Sequence, residues 1–194
     1  MKLLSILFLF FLQSTISNAQ NAKPVKEYLR VPGPISINSK SYQLSWSAHP
    51  SATYYKQEYL VKGDKAEKFE SMAMVEVVTG AIRPEDALAA KVEELKQMKA
   101  TNPMVNFESF INKEKGEYML DFLVSANEAD GKLIVERNVY RYSALKGQPG
   151  LMLFGVSTRS YGDAVDNFLK NLKAKKRVLI DEVSKYSLPA IAFK

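Results

Sequence analysis

The segment from Tyr118 to Thr158 constrains the fold of this chain most. Two long β-patterned runs, Tyr118 to Ala126 and Leu133 to Tyr142, flank Asn127-Glu-Ala-Asp130-Gly131, and a third run follows at Leu151 to Thr158. Tyr118, Leu120, Phe122 and Val124 alternate with Met119, Asp121, Leu123 and Ser125, so one face is wholly apolar and the other mixed. That is the period-two pattern of a strand. Asp130-Gly131 supplies residues that tolerate positive φ in a tight reversal. The segment therefore predicts an antiparallel meander, and the remaining elements must extend it or pack on it.

Met1 to Ala19 reads as a secretory signal rather than as part of the fold. Lys2 is its only charge, Leu3 to Leu12 is apolar apart from Ser5, and Ser17-Asn18-Ala19 places small residues where a signal peptidase cuts. The apolar run is too short for a permanent anchor, which needs about 20 apolar residues, and no cysteine stands at the cut for lipidation. Cleavage after Ala19 leaves 175 residues, with 26 basic against 21 acidic once Lys2 is gone. A chain of this size buries roughly 70% of its unfolded surface, enough for a core without covalent staples. The absence of cysteine removes disulfides, thiol nucleophiles and thiolate metal sites. The modest positive charge does not demand nucleic acid.

Around the meander the periodicities are shorter. Gln20 to Ile37, with Pro24, Pro32, Gly33 and Pro34, reads as an extended lead-in in which a central strand is disfavoured. Tyr42, Leu44, Trp46 and Ala48 mark a half-buried strand stopped by His49-Pro50, and Tyr55 to Val61 its hairpin partner, with Lys56 and Glu58 outward and Gln57 intruding. Asp64 and Glu67 have capping-box spacing, which predicts a short helix to Ser71 with Phe69 and Met72 inward. Ala73 to Val78 reads as a strand, with a helix as the alternative. Pro84 to Ala100 is a helix by its N-terminal proline, its acidic first turn and basic last turn, and the stripe Leu88, Val92, Leu95. A further strand at Val105 to Ile111 leads into the meander. A long closing helix runs from Asp163 towards Pro189 on Val165, Phe168, Leu169, Leu172, Leu179, Val183 and Tyr186, interrupted only at Lys175 and Lys176. The economical architecture is one α+β domain over 39–194, a single antiparallel sheet of about six strands packed by helices.

Chemistry-bearing residues are few. His49 is the one histidine, and Ser45 and Ser47 lie near it without a third group to orient a triad. A strand-end histidine before proline is the simpler account. No phosphate loop and no metal-binding pattern is present, so neither cofactor nor metal is expected. Asp121, Glu136, Arg137, Asn138, Arg141 and Arg159 form the most distinctive polar set, with Glu136, Asn138 and Tyr140 on one face of their strand and Arg137, Val139 and Arg141 on the other. Charges in a central strand are costly unless paired or wet. They are either cross-strand pairs on a solvated face or the lining of a cleft that recognises a partner, and Glu136, Arg137, Asn138, Arg141 and Asp121 are the candidate partner- or ligand-binding residues. The basic face of the last helix, Lys170 to Arg177, reads first as a solvated surface and second as an attraction for anionic lipid or an acidic protein.

The run Ser41-Tyr-Gln-Leu-Ser-Trp46, then Gly63-Asp64, Glu70-Ser-Met72, a valine-rich strand, a crossing helix, a meander ending Glu136-Arg-Asn-Val-Tyr-Arg-Tyr142 and a closing helix resembles the PsbP-like fold group. That group includes photosystem extrinsic proteins, a Ran-binding import regulator and exported bacterial proteins. The similarity spans Tyr42 to Tyr186 and departs at Phe69, where related sequences prefer tryptophan. It implies an α/β/α sandwich with a binding or accessory role and no catalytic residue. The expected function is thus that of an exported, soluble accessory or binding protein, periplasmic or secreted, recognising an unidentified protein or a small ligand. It is expected to use no nucleic acid and no stable membrane anchor. The alternatives are a carboxylate hydrolase or lyase using Asp121 and Glu136 with Arg137, and a periplasmic immunity or inhibitor protein.

Overall fold

The structure is a computed structural model that describes residues 25–114 and 116–194. The signal sequence read at 1–19 lies outside them. Eight strands, β1 (Ile35–Ile37), β2 (Lys40–Ser51), β3 (Tyr54–Val61), β4 (Ser71–Thr79), β5 (Asn106–Asn112), β6 (Glu117–Asn127), β7 (Leu133–Ala144) and β8 (Gly150–Tyr161), accompany two helices, α1 (Pro84–Lys99) and α2 (Val165–Lys185). The strands form one antiparallel sheet in the order β1-β2-β3-β4-β8-β7-β6-β5. Two four-stranded meanders are therefore joined along β4 and β8, from Ser71 opposite Thr158 to Thr79 opposite Gly150, and α1 carries the chain from one meander to the far edge of the other.

The alternation read at Tyr118 to Ala126 is realised in full: Leu120 and Phe122 join the apolar cluster under α1, while Met119 joins the cluster under α2. On the α1 side, Leu88 and Leu95 share one apolar cluster with Leu60, Met72, Met74, Leu120, Phe122, Tyr142 and Leu153, and α1 lies mainly over β5, β6 and β7. On the opposite side, Leu179, Ile180 and Val183 pack on Val139, Phe154 and Val156. Strands covered on both faces become apolar throughout, which is why Gly150 to Ser157 is buried without a break.

The structure corrects the expected architecture. The sheet has eight strands rather than about six, it curls into a half-barrel, and it dominates the described residues, which form two α-helices, so the α/β/α sandwich is not formed. Part of the difference lies in the lead-in, where Ile35–Ile37 pairs with Lys40–Tyr42 through Asn38 and Ser39, both at positive φ. This is the backbone of a tight two-residue hairpin. The segment Asp64 to Glu70 forms no helix: it is a turn with a Lys65–Lys68 bridge, and Asp64 accepts from the Glu70 amide instead. His49-Pro50 does not stop β2, because bulges at Leu44/Trp46 and Ala48/Ser51 absorb the irregularity and the strand runs on to Ser51. A sheet of eight twisted strands, most of them long, is wider than two helices can cover, and it curls rather than lying flat between layers. The lead-in and the tail fill the remaining space on the α2 side, where Leu29 is fully buried and Ile191 and Phe193 are half-buried.

Candidate functional site

The five residues singled out by sequence are all buried, from 1% exposure at Asn138 to 8% at Glu136, and the strand alternation divides them between the two faces of the sheet. On the α2 side, the Arg137 Nε donates to Asp121 Oδ1 at 2.8 Å and its Nη2 donates to the Lys176 carbonyl at 2.7 Å. Arg141 donates to the Val183 carbonyl at 3.1 Å, to the Tyr186 carbonyl at 2.7 Å, and to Glu117. The carbonyls of a helix C-terminus carry partial negative charge and lack intrahelical donors. Arg141 therefore caps the end of α2, and Arg137 holds the turn that follows the kink at Lys175. Asp121 and Glu117 neutralise the two guanidinium groups. These three candidates fasten a helix.

Glu136 and Asn138 face the other way. Asn138 donates to Glu136 Oε1 at 2.9 Å, Arg159 donates to Glu136 Oε2, and Ser157 donates to Asn138 Oδ1. Arg159 in turn lies 4.2 Å from the centre of the Phe69 ring. Burial works against the Arg159 charge, and the Glu136 carboxylate outweighs it and raises the Arg159 pKa. Asp121 and Arg137 thus stand on the opposite side of the sheet from Glu136, and the three cannot converge on one substrate.

The Glu136 group continues into residues that the sequence reading placed outward or passed over. Across β8, Tyr140 lies on Gly155, where an added Cβ would sit 2.8 Å from the ring. Only glycine leaves room for that ring against the strand. Beyond it, on β4 and β3, Glu76 accepts from the Tyr54 hydroxyl at 2.9 Å, and Lys56 lies 2.9 Å from Glu58 and 3.5 Å from Glu76. Burial alone would lower the Lys56 ammonium, but Glu76 and Glu58 hold it above the ordinary lysine range. Burial, and then the field of Glu76, pushes the Tyr54 and Tyr140 phenols well up, so both remain protonated donors at neutral pH. Tyr54, Lys56, Glu58, Glu76, Tyr140, Glu136, Asn138 and Arg159 form one polar belt across four strands.

Lys56 and its two carboxylates carry a net charge of one minus, and a carboxylate has more acceptor positions than one ammonium and one phenol occupy. The belt is suited to a further cationic or hydrogen-bond-donating group. Glu76 had a legible signal, as the one charge within Val75-Glu76-Val77-Val78. Among the described residues no cluster of three or more histidine, cysteine, aspartate or glutamate side chains is placed to hold a metal. His49 is exposed, stacks on Tyr55 at 3.9 Å and faces the Tyr54 carbonyl, while Ser47 donates to the Lys26 carbonyl, so no serine–histidine pair assembles. No described helix is long and apolar enough to cross a membrane.

No curated protein and no solved structure matches the chain. A protein-family model whose description names no activity matches residues 29–188, from the buried lead-in through both meanders to the tail, and the chain belongs to that family.

Proposed function

We propose that the chain is an exported, non-catalytic binding protein, and that the polar belt on the α1 side receives a cationic group of a small ligand or of a protein partner. The observation that carries this reading is the excess carboxylate at Lys56, Glu58 and Glu76, with Glu76 buried and Lys56 and Glu58 half-buried, on a sheet face where α1 lies mainly over β5, β6 and β7. Attraction in a partly desolvated site is stronger than at a fully wet surface. The leader-like segment Met1 to Ala19 supports export. The split of Asp121 and Arg137 from Glu136 weighs against a hydrolase built on those residues.

Calorimetric titration with spermidine, arginine amide and a lysine-rich peptide tests the reading. Saturable binding of at least one probe is expected, weakened about tenfold or more, equivalent to about 1.4 kcal/mol, in a Glu58→Gln/Glu76→Gln variant whose circular dichroism is unchanged. Absence of saturable binding in the wild type, or equal binding by the variant, sinks the proposal.

A further inference from the structure

The two edges of the sheet are built differently. At one edge the short β1 covers the start of β2, and the rest of β2 is blunted by two bulges, by Pro50 and by the lead-in, whose Lys26 carbonyl is taken by Ser47. These are the devices that keep a strand edge from pairing with another chain. The β5 edge, Asn106-Phe-Glu-Ser-Phe-Ile-Asn112, has no proline, no lysine and no break in its register with β6.

The backbone groups that β5 turns outward follow from the ladder. Leu145 N donates to the Gly150 carbonyl and Glu128 N to the Lys132 carbonyl, so odd residues of β7 bond to β8 and even ones to β6. Alternation across β6 then gives the even residues of β5 to β6. Phe107, Ser109 and Ile111 therefore direct their N–H and C=O groups away from the sheet. The Phe107 amide is held by the Asn106 side chain. Ile111, at 53% exposure, is the most exposed large apolar side chain among the described residues.

We infer that β5 pairs antiparallel with β5 of a second copy, with Ser109 on the two-fold axis, so that two eight-stranded sheets become one. This register is self-complementary. Phe107 falls opposite Ile111 of the other copy on the α1 side, apolar against apolar. Glu108 falls opposite Phe110 on the α2 side, and Arg177 lies 5.3 Å from the centre of the Phe110 ring. Each Glu108 thus meets the Arg177 carried over the other copy's Phe110, while keeping its own bond to Lys176 at 2.7 Å. Opposite charges and apolar pairs set directly across a ladder stabilise it. The contact is small, so association is concentration-dependent.

Sedimentation of the full chain, expressed with its leader, over rising concentration tests the inference. A reversible dimer is expected, weakened about tenfold or more by Ile111→Lys. The chain lacks cysteine, which allows a register test. Paired Cα atoms at a two-fold, hydrogen-bonded position lie about 5.5 Å apart, within disulfide reach. Ser109→Cys should therefore form a disulfide-linked dimer under mild oxidation, while Ile111→Cys and Ser45→Cys should not. A wild type that stays monomeric throughout overturns the inference. So does a dimer indifferent to Ile111→Lys, or a Ser109→Cys variant that cross-links no faster than Ser45→Cys.

Discussion

At the scale of single residues, the α1-side belt holds phenols where water would otherwise stabilise their charge. Tyr142 is buried and Tyr140 half-buried near Glu76, and Tyr54 donates to it. Burial, followed by these carboxylates, raises all three pKa values above the ordinary 10.0. The folded chain then keeps protons that the unfolded chain loses above pH 10, so stability present below that pH falls as the pH rises through the folded values. Lys56 acts in the same direction from 10.5. The 295 nm absorbance of the folded protein should show these three tyrosines, like Tyr42, Tyr59 and Tyr186, failing to ionise at the ordinary 10.0, and their absorbance should appear together with loss of the circular dichroism signal. Simple ionisation of all ten tyrosines near pH 10 with the fold intact would contradict this account.

At the scale of elements, α2 shows what a buried ion pair does for a helix. Its sequence stripe was legible, and so was the interruption at Lys175 and Lys176, which marks the kink. Sequence could not show that the residues after the kink would carry most of the burial, at Leu179, Ile180 and Val183, while Leu172 stays half-exposed. It also could not show that Arg137 and Arg141 reach the helix backbone. Those contacts join residues 39 and 42 to 45 positions apart, and no local pattern encodes them. Removing one member of a buried pair leaves the other charge unpaired. Arg137→Ala should therefore cost about 3–5 kcal/mol in urea unfolding, because Asp121 stays 5% exposed with only Lys176 nearby, at 3.7 Å. Replacing both, as Arg137→Met with Asp121→Leu, should recover most of that loss, since an apolar pair of similar volume has no charge to desolvate. A double variant as unstable as Arg137→Ala would mean that the bond to the Lys176 carbonyl, rather than the charge balance, holds the helix.

At the scale of the whole molecule, β2 to β8 and both helices followed from periodicity, whereas β1, the turn at Asp64 to Glu70 and the packing of the lead-in and tail did not. Prolines at 24, 32 and 34 made the lead-in read as a passive extension, yet Gln57, the residue that broke the β3 alternation, is fully buried and accepts the Tyr28 and Leu29 amides. A polar side chain in a core strand signals that some backbone needs a partner there; it does not say which backbone. The tail completes that layer. Ala192 and Lys194 donate to the Leu29 and Tyr28 carbonyls, Phe193 lies 4.8 Å from Tyr55, and Lys194 pairs with Glu27. Glu27 accepts the Leu29 and Val31 amides in turn, so the two ends of the chain fix one another over β3. A chain ending at Ser187 should lose about 2–4 kcal/mol, from the burial of Ile191 and Phe193 and the two backbone bonds. Amide exchange should rise first at Tyr28 to Val31, because their acceptors on Gln57 and Glu27 would stand in water, while β7 and β8 stay protected. Uniform loss of protection across the sheet would instead make the tail part of the central core, and an unchanged melting curve would mean that the lead-in holds its place without it.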